Sequence, residues 1–92
     1  SSLIEKLPKY TMYQEKRTTS RAKEITEHMK EYFKDLPMDT RDGIRITKGG
    51  AWALIRPSGT EPLIRIYAES CDSAEAKELM GEILSEITPF LT

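Results

Sequence analysis

One cysteine and one histidine are the only such side chains among 92 residues. Cys71 has no partner for an internal disulfide, and the pair is too small for a structural zinc site. A lone cysteine predicts a reducing compartment, so the expected location is the cytoplasm. No apolar run approaches the roughly 18 residues that span a bilayer, so no membrane partner is expected. No long apolar segment lies near Ser1, and no secretory signal is expected. The net charge is −1. It argues against nucleic acid as a partner, which would require a broad basic footprint. What remains is a chain 38% hydrophobic and 32% charged. That composition and length fit one soluble domain with one core.

The charge is unevenly spread. Residues 43–68 carry Arg45, Lys48, Arg56 and Arg65 against Glu61 alone, whereas residues 69–92 carry six acids against Lys77 alone. A positive island in an acidic chain favours a small anion as ligand; a solvated polar face is the plain alternative.

The chain divides into 1–8, a linker or edge, and 9–92, a domain. Tyr10 to Thr18 reads as a β-prone strand whose basic end, Lys16-Arg17, is expected to be exposed. Ser20 is placed as the N-cap of a helix whose apolar stripe runs through Ala22, Ile25, Met29, Tyr32 or Phe33, and Leu36. Pro37 is expected to end it. His28 lies beside the stripe with no second ligand or triad partner, which predicts a surface or edge role. Met38 to Asp42 reads as a loop. Ile44-Arg45-Ile46-Thr47 alternates as a half-buried strand, and Lys48-Gly49-Gly50 makes a tight hairpin. Ala51 to Ile55 and Leu63 to Glu69 are the next strands. A second helix starts at Asp72 or Ser73, with Asp72 and Glu75 in capping-box spacing. Its stripe is Ala76, Leu79, Met80, Ile83, Leu84 and Ile87, and Pro89 stops it. Gly81 costs it about 1 kcal/mol, which close packing on the sheet would explain. The expected class is α+β: an antiparallel sheet of about four strands with both helices on one face, in the order β-α-β-β-β-α.

Parity along the strands assigns faces. Ile55, Ile64 and Ile66 go under the helices. Trp52, Leu54, Arg56, Arg65 and Tyr67 share the opposite face, which is too apolar to be left wholly to water. That predicts a neighbour on the sheet, either another domain or a separate protein bound by a non-catalytic interaction module.

Between the last two strands lies Arg56-Pro57-Ser58-Gly59-Thr60-Glu61-Pro62. Arg56 presents a planar fork of donors matched to phosphate oxygens. Ser58 and Thr60 each offer an O–H, and Gly59 lets the backbone approach an anion or turn with positive φ. Successive N–H groups in such a turn form an anion-binding concavity. An ordinary hairpin uses the same residue types. Arg65, on the same face as Arg56, favours the anion.

This loop, continued through Leu63-Ile64-Arg65-Ile66-Tyr67, resembles the phosphate-binding motif of the α-D-phosphohexomutase superfamily. Asp42-Gly43-Ile44-Arg45-Ile46, Trp52-Ala53-Leu54-Ile55 and Ala74-Glu75-Ala76-Lys77-Glu78-Leu79 match the elements around it. The whole chain is similar to the family's C-terminal fourth domain, whose fold resembles the TATA-binding-protein class. The resemblance implies a domain that grips the phosphate of a phosphosugar away from the reacting end. Arg56, Ser58, Gly59 and Thr60 would be ligands, with Arg65 assisting. It also implies a mutase using Mg2+, a phosphorylated serine loop, an aspartate-rich metal loop and a sugar-reading loop. Thr19-Ser20 and Asp39 to Asp42 lack those settings, so no catalytic or metal residue is expected here. Those parts would belong to other domains of the same enzyme, docked on the open sheet face, and the domain alone would be inactive.

Overall fold

The computed structural model describes residues 11–91. The linker expected at 1–8, and Tyr10, lie outside the described residues. Strand β1 (Thr11–Thr18) is followed by helix α1 (Ala22–Tyr32), then β2 (Met38–Asp39), β3 (Ile44–Lys48), β4 (Ala51–Pro57) and β5 (Leu63–Ser70). Helix α2 (Ser73–Ile87) and a short 3-10 turn (Thr88–Phe90) close the chain. The sheet has the order β1-β5-β4-β3-β2, and every neighbouring pair is antiparallel. The α+β fold holds. The one addition is β2, two residues of the expected loop whose Met38 and Asp39 pair with Ile46 and Arg45.

The period-2 pattern places the core. Ile44, Ile46, Ala53, Ile55, Ile64, Ile66 and Ala68 are all fully buried on one sheet face. Against them pack Ile25, Met29 and Phe33 around α1, and Leu79, Met80, Ile83 and Ile87 from α2. Each buried Ile contributes on the order of 1.5–3 kcal/mol of transfer free energy. That is why the register cannot slip by one residue: every core side chain would move to the open face. Leu84 and Leu36 sit at the margin of this core, and Tyr32 is exposed. No helix among the described residues is long and apolar enough to cross a membrane.

Helix ends depart from expectation in three places, and a mid-helix glycine in a fourth. Ser20 does not cap α1. Its neighbour Thr19 is buried, donates its N–H to the Pro62 carbonyl at 2.7 Å, and accepts the Arg21 N–H on Oγ1 at 3.0 Å. That turn delays the helix to Ala22. At the other end α1 stops at Tyr32, short of Pro37, because Lys34 and Leu36 donate to carbonyls three residues back, Glu31 at 3.3 Å and Phe33 at 2.9 Å. Asp72 caps α2 by accepting the Ala74 N–H at 2.9 Å. Glu75 does not return the bond: the Asp72 N–H donates to Ser70 Oγ at 3.1 Å, and Glu75 Oε1 lies 3.2 Å from that same hydroxyl. Gly81 is exposed, with open space where a Cβ would stand, so close packing does not explain it.

His28 keeps an edge role. Its Nε2 meets Glu86 Oε1 at 2.8 Å, and its ring lies 5.0 Å from that of Phe90, tying α1 to the C-terminal end. Tyr32 donates to Glu82 at 2.7 Å while Lys48 donates to the other oxygen of Glu82 at 2.6 Å. The Glu82 carboxylate pushes the Tyr32 phenol up to about 12.

Candidate functional site

The helix-free face of the sheet is ordered in rows that cross the strands. The first row runs Thr47, Trp52, Glu69, Met12, and the second runs Asp39, Arg45, Leu54, Tyr67, Gln14. The third runs Arg56, Arg65, Lys16. Parity along each strand puts these side chains on the face opposite the buried isoleucines.

The first two rows are internally paired. The Arg45 guanidinium stands 4.5 Å from the centre of the Trp52 ring. Trp52 Nε1 donates to Glu69 Oε1 at 3.0 Å. Asp39 receives Arg41 on both oxygens, at 3.2 and 2.8 Å, which lowers its carboxyl to about 2. Leu54 and Tyr67 face each other and are half-buried.

The third row is different. It sets three cations side by side. Directly opposite residues on adjacent strands stand about 5 Å apart at Cα, and like charges so placed repel. Arg56 has one acid near it, Asp42, at a loose 3.6 Å. Arg65 and Lys16 have no acidic partner among the described residues. Arg17, next to Lys16, turns to the other face and is bound to Glu15 at 2.7 Å.

The loop beyond Arg56 joins β4 to β5 at this end of the sheet. Ser58 donates its N–H to the Leu63 carbonyl at 3.0 Å, and Leu63 donates to Glu61 at 2.8 Å. The Ser58 Oγ accepts the Glu61 N–H at 3.2 Å and, more weakly, the Thr60 N–H at 3.4 Å. Its own proton stays available for an outside acceptor. Gly59 and Thr60 are exposed. The Gly59 N–H has no acceptor among the described residues. Gly59 does not adopt positive φ, and a Cβ there would meet nothing within 4 Å. Of the two roles expected for it, room for an approaching anion is the one left.

A glycine that the turn does require sits underneath. Gly43 has φ +73°, and a Cβ would fall 2.4 Å from the Ile55 carbonyl oxygen and 2.8 Å from the Arg56 Cβ. The β2–β3 turn therefore presses against the backbone that carries Arg56.

Arg56 and Arg65 are direct cross-strand partners on the open face, and Ser58, Gly59 and Thr60 lie in the turn that joins their strands. Lys16 is exposed as expected, but the pairing of β1 with β5 that sets it beside Arg65, and the contact of Gly43 with the Arg56 backbone, were not anticipated. Chemically, the cluster is a set of fixed cations and free hydroxyl and amide donors with almost no counter-charge of its own. Of the acids around it, Asp42 meets Arg56 loosely, Glu15 is bound to Arg17, and Glu61 is exposed in the loop; no group of metal-binding side chains is present among the described residues.

Comparison with known proteins agrees with this architecture. The family described as phosphoglucomutase/phosphomannomutase, C-terminal domain, matches residues 13–86. A phosphoglucomutase/phosphomannomutase of Thermococcus kodakarensis is 39% identical over 83 residues, 87% of this chain and 18% of that protein. A phosphoglucosamine mutase of Methanocaldococcus jannaschii is 36% identical over 84 residues, again 85% of this chain and 18% of the relative. A phosphomannomutase of the same organism is 44% identical over 61 residues, 66% of this chain and 14% of the relative. The chain spans about one-fifth of the length of the curated relatives that it matches most fully. Matched across most of its length, it belongs to the phosphoglucomutase/phosphomannomutase family as the C-terminal domain.

Proposed function

We propose that this domain holds the phosphate of a phosphosugar for a mutase that interconverts hexose 1-phosphate and hexose 6-phosphate. The observation that carries the reading is the direct pairing of Arg56 with Arg65 on the strands that the Ser58-Gly59-Thr60 turn joins. Two guanidinium groups side by side repel unless an anion lies between them. Both match phosphate oxygens bidentately, and Ser58, Gly59 and Thr60 add short donors.

The arrangement suits a reaction with a bisphosphorylated intermediate that turns over between two half-reactions. Guanidinium, hydroxyl and amide donors read a phosphate and not the sugar bearing it, so either end of the intermediate can be held. Each charge-assisted bond contributes on the order of 1.5–3 kcal/mol. Realised at the far end of the sugar, that energy orients the reacting oxygen. Closure of the domain over the substrate would also exclude water.

Three further parts belong to this reading. Mg2+ is assigned to a part of the full-length enzyme outside this chain, because the family resemblance places the aspartate-rich metal loop on another domain. Other domains of the enzyme dock on the face presenting Trp52, Leu54 and Tyr67. The domain alone is inactive, and the enzyme works in the cytoplasm.

The test is Arg56→Ala in the full-length protein, assayed with glucose, mannose and glucosamine 1-phosphates. The expected result is a raised KM together with a lowered kcat, and a loss of about 10- to 100-fold in kcat/KM. Unchanged kinetics with every sugar phosphate would sink the proposal.

A further inference from the structure

We infer that Lys16, on β1, is a third cationic ligand of the same phosphate. This rests on the phosphate-binding reading above and extends the site to a strand outside the loop motif.

Lys16 is the cross-strand partner of Arg65, and Arg65 is the partner of Arg56, so the three stand in one line on the open face. Neighbouring strands lie about 4.8 Å apart, which sets the β1 and β4 members about 10 Å from each other. Lysine and arginine side chains are each long enough to cover half of that span. Their charged ends can therefore converge on one anion above the middle strand. Lys16 is exposed and Arg65 half-buried. Beside them a shallow cavity of ≈ 300 Å³ is lined by Gln14, Glu15, Lys16, Arg65 and Tyr67. Glu15 does not neutralise Lys16 from there, because its carboxylate is bound to Arg17 at 2.7 Å on the other face.

A compact ammonium is also the right third member. Two guanidinium planes grip a phosphate edge-on, and a lysine adds a point charge that follows the oxygens as the phosphate shifts. An edge-strand lysine has a competing role: it discourages pairing with another chain. That role predicts no change in ligand affinity.

The experiment uses the full-length protein and glucose 6-phosphate as the probe, with calorimetric titration over a range of salt. Lys16→Met is expected to weaken binding about tenfold and to make the salt dependence shallower. Lys16→Arg keeps the affinity within about threefold, because the charge stays on the same stem position. Without ligand, Lys16→Met melts at the wild-type temperature or above it, since a like charge has left the row. Arg56→Ala is the control for the underlying reading. If it loses affinity and Lys16→Met does not, the lysine inference falls and the loop reading stands. If Arg56→Ala binds as wild type does, or the wild type binds no glucose 6-phosphate, both fall together. A Lys16→Met protein that binds weakly but melts several degrees lower also overturns the inference, because the lysine then acts through the fold.

Discussion

Two ends of one sheet face solve the same problem in opposite ways. At one end, Arg45 lies over Trp52, Trp52 donates to Glu69, and Asp39 is held by Arg41. Arg45, Trp52, Glu69 and Asp39 are each partnered from within the domain. At the other end, Arg56, Arg65 and Lys16 stand in register with only a loosely placed Asp42 for balance. Both ends share β4 and β5, over the same core. They differ in balance: at the first, these four groups find partners within the domain, and at the second the cations have almost none among the described residues.

The most damaging way to break the contrast is from below. Gly43→Ala forces a Cβ into the Ile55 carbonyl and the Arg56 side chain at positive φ. It should cost about 3 kcal/mol or more in urea unfolding and displace Arg56 as well. Gly59→Ala is its counterpart. Open space surrounds that position, so stability should change by less than about 0.5 kcal/mol, while phosphosugar affinity falls about tenfold because the methyl occupies the anion's approach.

Those two glycines also mark how much was legible in the sequence. Alternation in Leu63 to Tyr67 and in Trp52 to Arg56 was enough to put both arginines on the face opposite the isoleucines. The loop composition then offered candidate anion donors. Position along the third dimension was not readable. Nothing in the periodicity of Thr11 to Thr18 states which strand it joins, so the place of Lys16 beside Arg65 was not readable. Local signals misled where tertiary contacts intervened. Ser20 looked like a cap, but the Thr19 bond to Pro62 fixed the turn one residue earlier. Asp72 and Glu75 had capping-box spacing, but Ser70 took the return bond. Gly81 looked like a packing glycine and stands in the open, so Gly81→Ala should stabilise the protein by about 0.5–1 kcal/mol.

The paired end answers to gentler changes. Trp52→Phe removes the bond to Glu69 and should cost about 1 kcal/mol in chemical unfolding. Kinetics limited by the phosphate site should stay as in the wild type if the two ends are independent. The smallest expected effect is in acid. The Arg41 guanidinium lowers the Asp39 carboxyl to about 2, below its ordinary value near 4. A lowered folded pKa means stabilisation that is complete above about pH 4 and lost as the pH falls toward 2. Asp39→Asn should remove that part of the acid dependence and leave the rest of the curve in place.

The account rests on an anion completing the cationic row, and a crystal of the full-length protein with glucose 1,6-bisphosphate tests this most directly. The predicted result is a phosphate group with oxygens about 3 Å from the Arg56 and Arg65 guanidinium groups, the Ser58 hydroxyl and the Gly59 N–H. Both phosphates bound elsewhere, with Arg56 still facing Asp42, would contradict it.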